Sequence, residues 1–227
     1  MKKYTLFIGL ICLIGSAFGQ APVAPAYDSS FKAIYKAAAL HPGYINRRGV
    51  MHDSVVRRWD RDITIYIRGE DRSSRKEILN KLKNTIAVIS PALGNKIKIS
   101  FTDDLASSNY LIDLDYRGRS GFFLRWDDQD NIYNCRILVN TGYTFNLNQQ
   151  AELISHYFIK SLGDFVFSHE DRTNLIKNDA SVASNMSHWR QDINGIDLQI
   201  LKVQYADDIK PGMNRTAIDQ YFEKHGN

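Results

Sequence analysis

Three polar side chains, Glu152, His156 and Lys160, recur at four-residue intervals within "AELISHYFIKSLGDF" (151–165). Residues four apart lie one above the other on a helix, so the three form a single stripe. In a zinc hydrolase, two imidazoles four residues apart bind the metal and a glutamate beside the first deprotonates the attacking water. His156 meets the first requirement, but Tyr157 stands where the carboxylate belongs and Lys160 where the second imidazole belongs. A phenol with a pKa of about 10 is no base at neutral pH, and a lysine ammonium has no lone pair to give a metal. The stripe therefore reads as a remnant cleft of Glu152, His156, Tyr157 and Lys160 without a catalytic residue. Taken alone, His156 and Lys160 read as solvated residues on a helix surface. A rescued zinc set would join Glu152 and His156 to His169, six residues beyond Gly163.

The element that must carry this stripe is "NLNQQAELISHYFIKSLG" (146–163). Asn146 caps it with Gln149 three residues on, Ala151, Ile154, Phe158, Ser161 and Leu162 form an apolar face, and Gly163 supplies a left-handed ending. Upstream, "FKAIYKAAAL" (31–40) predicts a short helix closed by "HPG". Ile63, Ile65 and Ile67 alternate through "DITIYIRG" (62–69), a half-buried strand. An amphipathic helix follows over 73–90, with serine at its start, Ile78, Leu79, Leu82, Ile86 and Ile89 at helical spacing, and Pro91 as its stop. "KIKISF" (96–101), "NYLIDLDY" (109–116), "GFFLRW" (121–126) and "NIYNCRILV" (131–139) are four further strands, the last two joined by a solvated "DDQD" turn. That turn lacks the alternating acids and distant bidentate glutamate of a calcium loop.

Composition bounds what the elements can serve. Lys2 and Lys3, an apolar run from Leu6 to Ile14 and small residues at Ala17 and Gly19 have the layout of a cleaved secretory signal peptide over 1–19. The run is too short to span a bilayer, and no transmembrane span is expected in the mature chain. "APVAPAYDSS" (21–30) reads as a flexible tether, assigned to 20–30. Loss of two lysines with the leader lowers the formal charge from +4 to +2, which gives no electrostatic case for nucleic acid. Cys135, the one cysteine outside the leader, lies in an apolar run and reads as a buried small hydrophobe. Trp59, Trp126 and Trp189 are not spaced as a carbohydrate platform and read as core or interface residues. No phosphate-binding glycine loop, dinucleotide fingerprint or nucleophile elbow is present.

Residues beyond the stripe carry a resemblance. In metzincins a glycine turns the chain so that a third histidine, three residues on, completes the metal site; aligning Gly163 with it puts Val166 at that ligand. Gln191, Asp192, Ile193, Asn194, Gly195, Ile196 and Tyr205 look like the helix that follows the active site in the matrixin type, with Met186 near its methionine turn. The chain more closely resembles the exported bacterial family DUF2927, whose function is unknown. The shared pieces are Arg58-Trp59 before a strand, Leu162-Gly163 at a helix end, Asn178-Asp179 with Ser181 and Val182, and a helix from Asp197 through Ile200, Leu201 and Tyr205 into "IKPGM" (209–213). That family carries "EE..Q" where this chain has His156, Tyr157 and Lys160, so the resemblance implies no catalytic role for them.

These readings converge on an α/β (α+β), zincin-like domain over 31–227. It has a mixed twisted sheet of about five strands packed against an active-site-type helix and a C-terminal helix, and "RTAIDQYFEKHGN" is an addition to that core. The expected function is that of an exported, periplasmic or secreted, non-catalytic domain without a cofactor. It would bind a protein or peptide in the remnant cleft or along a sheet edge, either "GFFLRW" or "NYLIDLDY". The alternatives are a zinc metallopeptidase using Glu152, His156 and His169, and a structural envelope protein with no ligand.

Overall fold

The polar–apolar periods along the chain resolve into a regular succession of elements. A computed structural model describes residues 27–40, 44–45, 51–52, 54–69, 71–140, 146–165 and 193–225. In chain order these form α1 (Ser29–Ala39), β1 (Tyr44–Ile45), β2 (Met51–His52), β3 (Arg58–Trp59), β4 (Ile63–Arg68), α2 (Arg72–Leu93), β5 (Ile99–Phe101), β6 (Tyr110–Asp113), β7 (Gly121–Trp126), β8 (Asn131–Leu138), α3 (Leu147–Ser161), α4 (Gly195–Gln204) and α5 (Arg215–His225). The architecture is mixed α/β: a mostly parallel six-stranded sheet and five helices among the described residues.

Across the sheet the order is β5, β4, β6, β8, each pair parallel. β7 pairs antiparallel with β8, and Ile132 of β8 is registered both to Trp126 of β7 and, in parallel, to Trp59 of β3. Ile63, Ile65 and Ile67 are buried while Thr64, Tyr66 and Arg68 are not, as the alternation requires. The stretch "NYLIDLDY" is not an edge. β6 lies between β4 and β8 and all four of its residues are buried, so it has no free backbone to offer a partner. The apolar Leu-Ile run there belongs to a strand covered on both sides, which a sequence pattern alone does not separate from an edge strand.

The helices depart from expectation in three places. α1 begins at Ser29, inside the stretch read as a tether. Asp28 accepts the Phe31 amide at 2.6 Å as N-cap, and Tyr27 packs on Phe31 and Phe222 at 5.4 Å from each. α2 runs through Pro91 to Leu93 and stops at Gly94, which takes a left-handed φ of 59°. A proline forfeits one amide bond, and this one does so in the last turn, where few bonds remain to be lost. The cap of α2 is Asp71, whose carboxylate accepts the Ser73 and Ser74 amides. At the end of α3, Asp164 and not Gly163 is left-handed, at φ 50°. Gly163 is needed for space instead: a Cβ there would sit 2.5 Å from the Phe165 ring.

α3 lies between α2 and the strands β7 and β8, and α4 packs on α2 and α1. The chain after α4 returns to the start of the sheet. Val56 donates to the Met213 carbonyl and accepts from Gly212, both at 2.9 Å, with Gly212 at φ 80°. Ile209, within the "IKPGM" segment, is fully buried. α5 then closes on α1 through Phe222, which meets Phe31 and Tyr35 edge-on.

Candidate functional site

α3 is built as the sequence implies at its start. The Asn146 side chain accepts the Gln149 amide, and the Gln149 side chain accepts the Asn146 amide in return. Its other end is held from outside. The Trp59 indole donates to the Ser161 carbonyl at 3.0 Å, and the Tyr205 hydroxyl donates to the Leu162 carbonyl at 2.8 Å. Two carbonyls that a helix end leaves without amide partners are thus satisfied by side chains from β3 and from the residue closing α4. The Ser161 hydroxyl donates to the Phe158 carbonyl and lies 2.7 Å from the Tyr110 hydroxyl. Cys135 completes this knot; burial pushes its thiol up to about 12, with the Asp164 charge adding to the effect.

The polar stripe is not a solvated face. His156 is 5 % exposed and Lys160 is fully buried. Along α3 every residue from Gln150 to Ser161 is buried except the half-buried Glu152. The reading from residue type failed because α3 is enclosed between α2 and the sheet. Periodicity shows where an apolar stripe lies but not that a second layer will cover the polar one. Glu152 approaches Lys81 of α2, with Oε1 3.6 Å from Nζ, so its carboxylate faces an ammonium. Tyr157 packs its ring 5.7 Å from Phe122 of β7 and 6.2 Å from the His156 imidazole. The three remnant-cleft residues from His156 on are therefore buried packing elements of one helix. His169, Val166, Met186 and Trp189 lie outside the described residues.

As a metal site the described part of the stripe is poorly matched. His156 carries a donor nitrogen, Lys160 stands one helical turn on in place of a second imidazole, and Tyr157 offers no carboxylate. Among the described residues no three His, Cys, Asp or Glu side chains converge.

Beside α3 lies a backbone with an open side. Among the described residues β7 pairs with β8 alone. Phe122 and Leu124 face the helical layer, and between them Phe123 points to the other face with 58 % of its surface exposed. The sequence left two stretches as equal edge candidates, and burial separates them.

One residue that sequence reasoning passed over fixes this edge against α3. Arg57, 2 % exposed, places Nε 3.0 Å from Asp130 at the β7–β8 turn and Nη1 3.1 Å from Asp164 after α3. Its guanidinium also stacks over Trp126, 4.3 Å from the ring centroid. A planar cation with several donors can bridge two carboxylates and an aromatic face at once. The "DDQD" turn is thus tied down at Asp130. The only signal in the sequence is the "RRW" triplet, which does not say which arginine turns inward.

No protein-family model matches the chain, and no curated protein matches it. Among the described residues no helix is long and apolar enough to cross a membrane.

Proposed function

We propose that this chain is an exported, non-catalytic, zincin-like domain that binds an extended protein or peptide segment along β7. The observation that carries the reading is that β7 pairs on one side only among the described residues, with Phe123 exposed upon it, beside a helix whose ligand positions hold mismatched side chains. An extended peptide can add to such an edge through main-chain hydrogen bonds, and alternate side chains then supply specificity. The succession strand, helix, strand, strand, strand pair, helix, C-terminal helix supports the zincin-like part. The non-catalytic part rests on residue type: Tyr157 stands where the carboxylate base belongs and Lys160 where the second imidazole belongs. Export rests on the leader-like layout of Lys2 and Lys3, the apolar run from Leu6 to Ile14 and the small residues Ala17 and Gly19.

The test is selection from a random ten-residue peptide display library, followed by calorimetric titration of the enriched peptides. Peptides of extended character should bind the wild type and His156→Ala alike and lose at least tenfold in affinity with Phe123→Asp. Failure to enrich any peptide, or binding indifferent to Phe123, would overturn the proposal in favour of a structural envelope role.

A second reading rests on Glu152 and His156 sharing one side of α3: a zinc metallopeptidase completed by His169. Elemental analysis after exposure to a small excess of zinc tests it. Near-stoichiometric zinc lost on His156→Ala would establish that reading and displace the first.

A further inference from the structure

At the opposite edge of the sheet from β7, between the carboxyl ends of β4 and β5 and the first turns of α2, lies a cavity of about 430 Å³. Its apolar walls are Ile65 and Ile67 of β4, Phe101 of β5 and Leu79 of α2. Its polar walls are Arg75, Lys76, Thr102 and Asp103. The two cations are adjacent in sequence near the start of α2, and Lys76 is exposed with no ion-pair partner among the described residues. Asp103, wholly exposed, stands 3.8 Å from Arg75 across the pocket wall, a separation and setting in which an ion pair contributes little. The helix amides are not the recognition element, since Asp71 already accepts those of Ser73 and Ser74.

We infer that this cavity binds a small amphiphile with one anionic headgroup, its apolar body against Ile65, Ile67, Leu79 and Phe101 and its charge between Arg75 and Lys76, where it displaces Asp103. The volume falls in the range of small-molecule sites, which combine apolar walls with a few placed polar groups. The carboxyl ends of neighbouring parallel strands are the usual place for such a site in an open α/β sheet. Asp103 acts as an internal competitor. It holds the guanidinium loosely while the site is empty, and it is too exposed to fill the apolar cavity. The inference is independent of peptide binding at β7.

The test titrates the full chain with decanoate, decyl phosphate and decylammonium by calorimetry. Saturable one-to-one binding of at least one of the two anions is expected, with decylammonium bound at least tenfold more weakly. The two anions separate a carboxylate headgroup from a phosphate one. Arg75→Ala with Lys76→Ala, both changes at the helix surface, should weaken the bound anion at least tenfold. Asp103→Asn should tighten it severalfold, a gain that no loss of fold can imitate. Equal affinity for decylammonium, no saturable anion binding, or anion binding unmoved by all three substitutions would overturn the inference.

Discussion

Cys135 is fully buried beside the Tyr110 and Ser161 hydroxyls, and burial pushes its thiol up to about 12. The same desolvation raises the phenols of Tyr110, Tyr35 and Tyr205 above their ordinary range. An unfolded thiol titrates near about 8.5, so above that pH the unfolded chain releases a proton that the folded chain keeps until about 12. The contribution is whole below about pH 8.5 and is lost progressively as pH rises through that window. Urea midpoints measured from pH 7 to pH 10 should therefore fall above pH 8.5, and Cys135→Ala should shallow the decline. A decline of identical slope in the variant would sink this account. Native Cys135 should also stay inert to a thiol reagent at pH 8 and react once urea unfolds the chain. The residue type and apolar neighbours of Cys135 already told of its burial. His156 and Lys160 told the opposite of theirs, because a polar side chain carries no mark of what will be laid over it.

At the scale of elements, two glycines close two helices for different reasons. Gly94 is left-handed with open space around its missing Cβ, whereas Gly163 has no such backbone need and faces the Phe165 ring. Gly94→Ala should cost about 1 kcal/mol from backbone strain alone. Gly163→Ala should cost about 1–3 kcal/mol by overpacking, and Phe165→Leu in the same chain should relieve part of that cost. Denaturant midpoints of the single and double variants check both statements. A Gly163→Ala penalty unchanged by Phe165→Leu would mean that the ring is not the obstacle. The start of α3 was legible because its cap is local: Asn146 with Gln149 is a sequence pattern and a structural fact alike, whereas the caps Asp28 of α1 and Asp71 of α2 went unread. Asn194 with Asp197 is a second such pair, within a segment read instead for its resemblance.

Across the described residues as a whole, the first and last helices meet. α1 and α5 share an aromatic cluster of Tyr27, Phe31, Tyr35, Tyr221 and Phe222. The Tyr35 hydroxyl donates to Gln204 at 2.8 Å, and Gln204 donates to the Arg57 carbonyl at 2.8 Å. These links run without a break from the terminal helices to the start of the sheet, so α1 and α5 are expected to unfold with it. Phe222→Ala should cost about 3–5 kcal/mol and lower the midpoint of one cooperative transition. A separate early transition of α1 and α5 would show instead that the ends are an independent layer.

The sequence by itself determined the mixed α/β class, the strands at Ile63–Arg68 and Gly121–Trp126 and the capped start of α3. Those follow from local period, local hydrogen bonding and the intrinsic properties of side chains, none of which needs a distant partner. Only the tertiary structure decided that β6 is central and that β7 is an edge among the described residues. It alone enclosed His156 and Lys160, and it alone turned Arg57 inward to join Asp130 and Asp164. Each of these depends on residues tens of positions away coming into contact, and strand order, layer closure and ion pairing across the fold leave no periodic trace along the chain.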